Sequence, residues 1–187
     1  AAQRSKDTIV RIGLFMRALH QRHRGNRREI HACVFRNAAR PSRACADHRR
    51  FRGDTLLGQH AILAADIVQH GAGEAIMLNS NGNVAECTGD NIFIVRNGVV
   101  MTPPLTEGAL GGITRHAVFD ICTELGIPCV EKVMNRFDVI CADECFLTGT
   151  AAEVIAATSL DGRTIGTGVA GPVTKRILAR FQQLVRE

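Results

Sequence analysis

From residue 54 onward, apolar and polar positions alternate with the periods of helices and strands. Apolar residues that recur every three or four positions predict helices over 56–68, 114–125 and 173–185. Shorter apolar runs predict strands at 74–78, 91–95, 99–101, 129–133, 144–147 and 153–157. Asn97-Gly98 predicts a tight hairpin turn, and residues 137–143 predict a single helical turn. Because strands and helices are interspersed, this part of the chain predicts an α+β or mixed α/β fold.

Residues 1–53 follow a different pattern. Ile9, Ile12 and Leu19 recur at helical spacing and predict a basic amphipathic helix over 8–20. Beyond them, residues 33–53 show neither a helix period nor a strand period. The first 52 residues carry a net charge of +11, whereas the remainder carries −6, which together give the +5 of the whole chain. A charge break of this size predicts a boundary between a poorly packed segment, 1–53, and a folded domain, 54–187.

Three interpretations of the basic segment remain open at this point. Arg-rich, acid-poor amphipathic sequences are typical of targeting presequences, which would direct the chain to an organelle rather than the cytoplasm. A basic cluster also gives a non-specific footprint for nucleic acid, but aromatic residues that could stack on bases are scarce in the segment. The third interpretation is a segment without a selected function, such as a truncated or out-of-frame N-terminus. The third interpretation is favoured over the other two, and nucleic acid is not expected to be a partner.

The seven cysteines predict free thiols in a reducing compartment, because their number is odd and no CxxC pair occurs. Cys141 and Cys145 lie four residues apart, but no histidine stands near them, so no metal site is predicted. No apolar run approaches the roughly 20 residues of a membrane span. These features together favour a cytoplasmic protein.

Three short segments contain residues suited to ligand chemistry. Glu86 enters a strand with Gly89 close behind, where its carboxylate could face a ligand cation or cap a turn. The run 111–115, GGITR, leads into a helix and could offer backbone N–H groups to a phosphate, or simply be a loop with a capping Thr. The run 147–153, LTGTAAE, places small and hydroxyl-bearing residues between two strands. Each segment alone is also compatible with an ordinary turn.

Taken together, the segments resemble the class IV, fold-type IV pyridoxal-phosphate-dependent aminotransferases. The stretch Val84–Thr114 reads VAECTGDNIFIVRNGVVMTPPLTEGALGGIT, and FLTGTAAEV, SLDGRTIG and GPVTKRI look specifically like the branched-chain amino acid enzymes. The resemblance extends from about residue 74 to residue 187. It implies the large C-terminal domain of that fold, without the family's small N-terminal domain. It also implies a homodimer or higher homo-oligomer that acts on small amino acids and 2-oxo acids.

The resemblance also implies roles for individual residues. Glu86 would pair with the pyridine nitrogen of pyridoxal 5'-phosphate, and Asn91 would support the same wall of the site. The phosphate would be bound by a set that includes backbone and hydroxyl groups, namely Leu110, Gly112, Ile113, Thr114 and Thr150. Thr150 and Ala151 would receive the substrate carboxylate. Arg115 is expected to form a structural salt bridge instead.

The catalytic lysine of the family pattern is not matched. The lysine that carries the Schiff base lies about 34 residues before the Glu in the family, and ungapped counting from Glu86 reaches Arg52. The only lysines are Lys6, Lys132 and Lys175. Arginine stays protonated and cannot replace lysine in this role. Two functions therefore stay open: a transaminase that moves the amino group of leucine, isoleucine or valine to 2-oxoglutarate, and a catalytically inactive fragment or remnant of that family.

Overall fold

The computed structural model describes the backbone of residues 29–36 together with residues 73–150 and 152–186. Ala151, Arg52 and the helices predicted over 8–20 and 56–68 lie outside this part of the chain. Within it, one mixed sheet forms the framework of the fold. Its strands are β1 (Glu29–Arg36), β2 (Glu74–Leu78), β3 (Val84–Cys87), β4 (Asn91–Arg96), β5 (Val99–Thr102), β6 (Cys129–Glu131), β7 (Glu144–Gly149), β8 (Glu153–Leu160) and β9 (Arg163–Thr164).

The sheet combines parallel and antiparallel pairs. Its order is β3-β2-β1-β8-β7-β4-β5-β6, with β9 paired to β8 outside this path. Strand β1 runs parallel to both β2 and β8, and β5 runs parallel to β6. The other described pairs are antiparallel, including the β4–β5 hairpin that Asn97-Gly98 closes. The mixed α/β class predicted from the pattern is confirmed.

Helices cover the sheet on both faces. They are α1 (Ile113–Glu124), α2 (Arg136–Ile140) and α3 (Pro172–Leu184), and a 3-10 turn spans Leu105–Glu107. Helices α1 and α3 pack on each other and on one face, where Phe93 and Phe146 stack at 5.0 Å between ring centroids. The opposite face buries Ile92, Ile94 and Leu147 with residues around α2. No helix in the described ranges is long and apolar enough to cross a membrane.

Strand β1 corrects an expectation drawn from the sequence. Residues 33–53 showed no strand period, yet Cys33–Arg36 belong to a strand between β2 and β8, within the sheet rather than at its edge. A strand with parallel neighbours on both sides need not alternate polar and apolar residues, so its periodicity is weak. The arginines that flank it also gave the whole region the composition of an unpacked segment. The backbone of β1 therefore pairs within the sheet, although β1 lies in the segment that the charge break predicts to be poorly packed.

Candidate functional site

Glu86 lies at the centre of a hydrogen-bonded cluster near one edge of the sheet. It stands on the short strand β3 and is half-buried. Its Oε2 atom accepts a hydrogen bond from the backbone N–H of Leu110 at 2.8 Å and another from Asn91 Nδ2 at 3.2 Å. The carboxylate is thus held in place by donors from two separate segments of the chain.

Asn91 links these segments to each other. It is the first residue of β4 and is 6% exposed, and its Nδ2 also donates to the carbonyl of Leu110 at 2.9 Å. On its other side, a Cβ added to Gly112 would lie only 2.3 Å from Asn91 Oδ1. Only glycine permits so close an approach of the backbone. Strands β3 and β4 and the loop before α1 are therefore joined through one amide side chain.

Helix α1 begins beside this cluster. Gly112 is its N-cap residue and no side chain caps it, while the first helical hydrogen bond runs from His116 N to Gly112 O at 3.1 Å. Thr114 is buried, and Ile113 and Leu110 are exposed. The first N–H groups of a helix have no partner within it and carry the positive end of its dipole. This helix start can therefore bind an anion such as a phosphate.

The end of β7 approaches the cluster from the neighbouring strand. Thr148 pairs with Asn91 in the register of β7 and β4. A Cβ on Gly149 would lie 1.8 Å from Asp90 Oδ1, so this position also requires glycine. Thr150 follows and is exposed, whereas Ala151 lies outside the described residues. The three segments singled out in the sequence thus meet at one end of the sheet. The start of β4, at Asn91, contacts both the loop before α1 and the end of β7.

Asp90 and Thr148 also lie beside this cluster, although no role was predicted for either of them from the sequence. Burial, and after it the nearby carboxylate of Glu74, raises the pKa of Asp90 to about 7. The Thr148 side chain is 1% exposed, and its hydroxyl has no hydrogen-bond partner among the described residues. Both features depend on pairings between distant parts of the chain, so no local sequence signal could reveal them.

Arg115 has the structural role that was predicted for it. Its side chain is 3% exposed, forms an ion pair with Glu131 and donates to Pro103 O at 3.2 Å. Its guanidinium also lies 5.1 Å from the ring centroid of Phe119. These contacts connect α1 to β6 and to the turn after β5, so they stabilise the position of α1.

The chain belongs to the Amino-transferase class IV family, whose sequence profile matches residues 14–160. A branched-chain-amino-acid aminotransferase of Escherichia coli (strain K12) is 45% identical over 120 residues, which are 64% of this chain and 39% of that protein. The chain thus spans about two-fifths of the length of this curated relative. The profile begins well before residue 74, so the resemblance extends further towards the N-terminus than the motifs suggested.

Solved structures of branched-chain aminotransferases have the same fold. The enzyme from Thermobaculum terrenum, solved in its PLP (holo) form, superposes with a TM-score of 0.70 at 31% identity, covering 86% of this chain and 52% of that one. The enzyme from Thermoproteus uzoniensis, solved with norvaline, gives a TM-score of 0.71 at 38% identity, covering 86% and 52%. The fold-type IV architecture expected from the motifs is confirmed. The division of the chain at residue 53 stays a prediction.

Proposed function

We propose that this chain forms the pyridoxal-phosphate-binding part of a branched-chain amino acid aminotransferase. The observation that carries the proposal is the cluster of Glu86, Asn91 and Leu110 beside the uncapped start of α1. It offers one carboxylate and one anion site at the same end of the sheet. A ligand with a protonated ring nitrogen and a phosphate group needs both.

The residues present fit such a cofactor. The start of α1 supplies N–H groups for the phosphate from Ile113 and Thr114, and Gly112 keeps the approach to Asn91 open. The hydroxyl of Thr150 is exposed at the end of β7 and is available as a further donor. The cofactor, when bound, supplies an electron sink for bonds broken at the substrate Cα.

In this proposal Glu86 holds the proton on the pyridine nitrogen. A carboxylate beside that nitrogen favours its protonated form, which makes the ring a better electron acceptor. The hydrogen bonds from Leu110 N and Asn91 Nδ2 fix the direction of the carboxylate before any ligand arrives. Because the charge is pre-oriented, little reorganisation is needed when the reaction proceeds.

The proposed substrates are leucine, isoleucine or valine as amino donor and 2-oxoglutarate as acceptor. The support is the family and the norvaline bound to the Thermoproteus uzoniensis relative, an amino acid with a short apolar side chain. Thr150, together with Ala151, the next residue in the sequence, is proposed to receive the substrate carboxylate. We also propose a cytoplasmic homo-oligomer, for which light scattering after size exclusion is the direct test; a basic N-terminal targeting segment is the alternative for localisation.

A second candidate is a catalytically inactive relative that keeps the cofactor site. It is favoured by the lysine content of the chain, because only Lys6, Lys132 and Lys175 are present. Lys132 Nζ pairs with Asp138 at 3.2 Å, and Lys175 is exposed on α3. A lysine amine that can lose its proton is what the family uses to attach the cofactor and to move the proton at the substrate Cα. The arginine expected at that place, Arg52, cannot do either.

One experiment separates the two candidates. The protein is incubated with pyridoxal phosphate, reduced with borohydride and digested, and modified lysines are mapped by mass spectrometry. Leucine with 2-oxoglutarate is assayed in parallel for the chain and for Arg52→Lys. We expect cofactor binding without stoichiometric lysine labelling or turnover in the unaltered chain, and labelling at position 52 in the variant. Labelling of Lys132 or Lys175 together with turnover would show that the register of the site is wrong.

A further inference from the structure

Among the described residues, three buried side-chain polar atoms have no hydrogen-bond partner: Thr148 Oγ1, Arg115 Nε and Arg136 Nε. Both arginines make ion pairs through another guanidinium nitrogen, whereas the Thr148 side chain has no other polar atom. The Thr148 side chain is 1% exposed, and its Oγ1 atom has no hydrogen bond to any residue that the structure describes. Leaving a hydroxyl buried and unpaired costs free energy, typically about 1–3 kcal/mol. Other buried threonines of this chain are satisfied: Thr102 Oγ1 donates to Ile92 O at 2.8 Å, and Thr174 Oγ1 donates to Glu144 at 2.7 Å. The exception at Thr148 therefore calls for a ligand.

The register of the sheet locates Thr148 relative to the helices. Phe93 pairs with Phe146, and Asn91 pairs with Thr148 two residues further along the same two strands. Side chains two residues apart lie on the same face, so Asn91 and Thr148 lie on the face that α1 and α3 cover. Directly paired side chains have Cβ atoms about 5 Å apart. Thr148 is therefore an immediate neighbour of the Asn91 amide.

The start of α1 lies next to the same amide. A Cβ on Gly112 would be 2.3 Å from Asn91 Oδ1, and the helix that follows packs on β7. The N-terminus of this 12-residue helix has no side-chain cap. An anion bound by its N–H groups would thus lie close to Asn91 and its paired neighbour.

We propose that the Thr148 hydroxyl donates a hydrogen bond to the phosphate group that binds at the start of α1. The inference rests on the proposed function and adds a binding residue to that same site. A second anchor on β7, beside Thr150, would connect the phosphate to the sheet as well as to the helix. The hydroxyl that is unpaired without ligand becomes satisfied when the ligand binds.

If Thr148 binds the phosphate, removing its hydroxyl should change stability and ligand affinity in opposite directions, which a purely structural residue would not do. Thr148→Val has nearly the same shape but no hydroxyl, so it removes the unpaired group from the ligand-free protein. The variant should unfold at a higher urea concentration without ligand and yet bind phosphorylated ligands more weakly. Thr102→Val is the matched control: it removes a satisfied hydrogen bond, so it should unfold at lower urea and leave ligand affinity unchanged.

The test measures affinity for pyridoxal phosphate, for inorganic phosphate and for pyridoxal, together with urea midpoints, on the full chain. We expect Thr148→Val to lose about 10-fold or more in affinity for the two phosphate-containing probes, as expected for a hydrogen bond to a charged group. Its affinity for pyridoxal should not change. Thr148→Ser keeps the hydroxyl and can still donate the hydrogen bond. Its affinity for the two phosphate-containing probes should therefore stay within about 3-fold of that of the unaltered chain.

Each outcome decides the matter. Equal phosphate-ligand affinity of Thr148→Val and the unaltered chain overturns the inference and leaves the proposed function standing. An equal loss for pyridoxal also overturns it, because the contact would then be to the ring. If the unaltered chain binds none of the probes, both the inference and the proposed function fail. A lower urea midpoint of Thr148→Val without ligand contradicts the premise that the hydroxyl is unpaired.

Discussion

At the scale of single residues, the contact between Gly112 and Asn91 sets the geometry of the site. Gly112→Ala would place a methyl group 2.3 Å from Asn91 Oδ1, so the amide must move and its bonds to Glu86 and Leu110 must break. We expect a loss of stability of about 1–3 kcal/mol, typical of overpacking. Affinity for pyridoxal phosphate, measured by fluorescence titration, should fall more than about 10-fold, since Glu86 loses its orientation.

Gly111→Ala is the control for this variant. The nearest atom to its added Cβ would be Leu105 Cδ1 at 3.6 Å, an ordinary van der Waals distance at the end of a flexible side chain. It should therefore leave both stability and affinity close to those of the unaltered chain. Similar affinities for the two alanine variants would contradict the positioning role of Asn91.

Asp90 gives the protein a pH-dependent stability. Its pKa is raised to about 7 by burial and by Glu74, above the value of about 3.9 expected in the unfolded chain. The folded state therefore binds this proton more tightly than the unfolded chain does. The stability that the Asp90 carboxyl contributes is fully present below about pH 4 and is lost as the pH rises towards 7. Asp90→Asn should remove this loss and raise the free energy of unfolding at pH 8 by on the order of 2 kcal/mol, allowing for partial exposure.

The check is urea unfolding of both proteins at pH 5 and pH 8. The advantage of Asp90→Asn should be larger at pH 8 than at pH 5, because the carboxyl of the folded protein loses its proton between these pH values. An advantage of Asp90→Asn that is equal at the two pH values would show that the carboxyl titrates normally.

The sequence identified the segments of the site better than their contacts. Motifs around Glu86, Gly112 and Thr150 were recognisable because each is local. The partners of these residues come from strand pairing and from the fold of the loop before α1, as with Leu110 N on Glu86. The unpaired hydroxyl of Thr148 and the raised pKa of Asp90 arise only once distant segments exclude water, so no inspection of the local sequence could have found them.

At the scale of elements, Glu144 connects β7 to the start of α3. It is 7% exposed, and its carboxylate accepts from Val173 N at 2.9 Å, Thr174 N at 2.7 Å and Thr174 Oγ1 at 2.7 Å. A carboxylate at a helix N-terminus satisfies free N–H groups and complements the dipole. Glu144→Ala leaves these donors buried and unpaired, so we expect a loss of about 2–4 kcal/mol in urea unfolding.

Glu124→Ala provides the comparison. That carboxylate is half exposed and pairs with Arg180 at 2.8 Å on the surface of the packed helices. Exposed ion pairs contribute about 0–1 kcal/mol, so this variant should be nearly as stable as the unaltered chain. A Glu144→Ala variant that loses no more unfolding free energy than Glu124→Ala would show that the link between β7 and α3 does not stabilise the fold.

The bounds of helices and strands with a strong hydrophobic period were predicted well. The bounds of strands that depend on pairing with other strands were not. Strand β2 spans the predicted residues 74–78, and α1 and α3 begin and end within one residue of expectation. Strand β8 continues to Leu160, three residues beyond the prediction, because β9 and β1 extend its pairing. The short strands β3 and β9 have too few residues for a recognisable alternation.

At the scale of the whole molecule, β1 makes part of the basic segment necessary for the sheet. The charge break predicted that residues 1–53 form a poorly packed segment, but β1 pairs with β2 on one side and β8 on the other. Val34→Pro removes a backbone donor from this central strand and should prevent cooperative folding. Val34→Ala keeps the donor and should fold, as judged by circular dichroism and urea unfolding. A well-folded proline variant, or a well-folded chain that begins at residue 54, would contradict the placement of β1.

Glu86 and the start of α1 are together proposed to bind a phosphopyridoxyl ligand, and every role proposed for the site depends on this binding. Equilibrium titration of the full chain with pyridoxal phosphate, compared with Glu86→Gln, tests it directly. We expect saturable one-to-one binding that weakens at least about 10-fold in the variant, because the charge opposite the ring nitrogen is lost. Glu124→Gln, far from the site on the surface of α1, should bind like the unaltered chain. Absent binding, or equal binding by the unaltered chain and Glu86→Gln, would contradict the account.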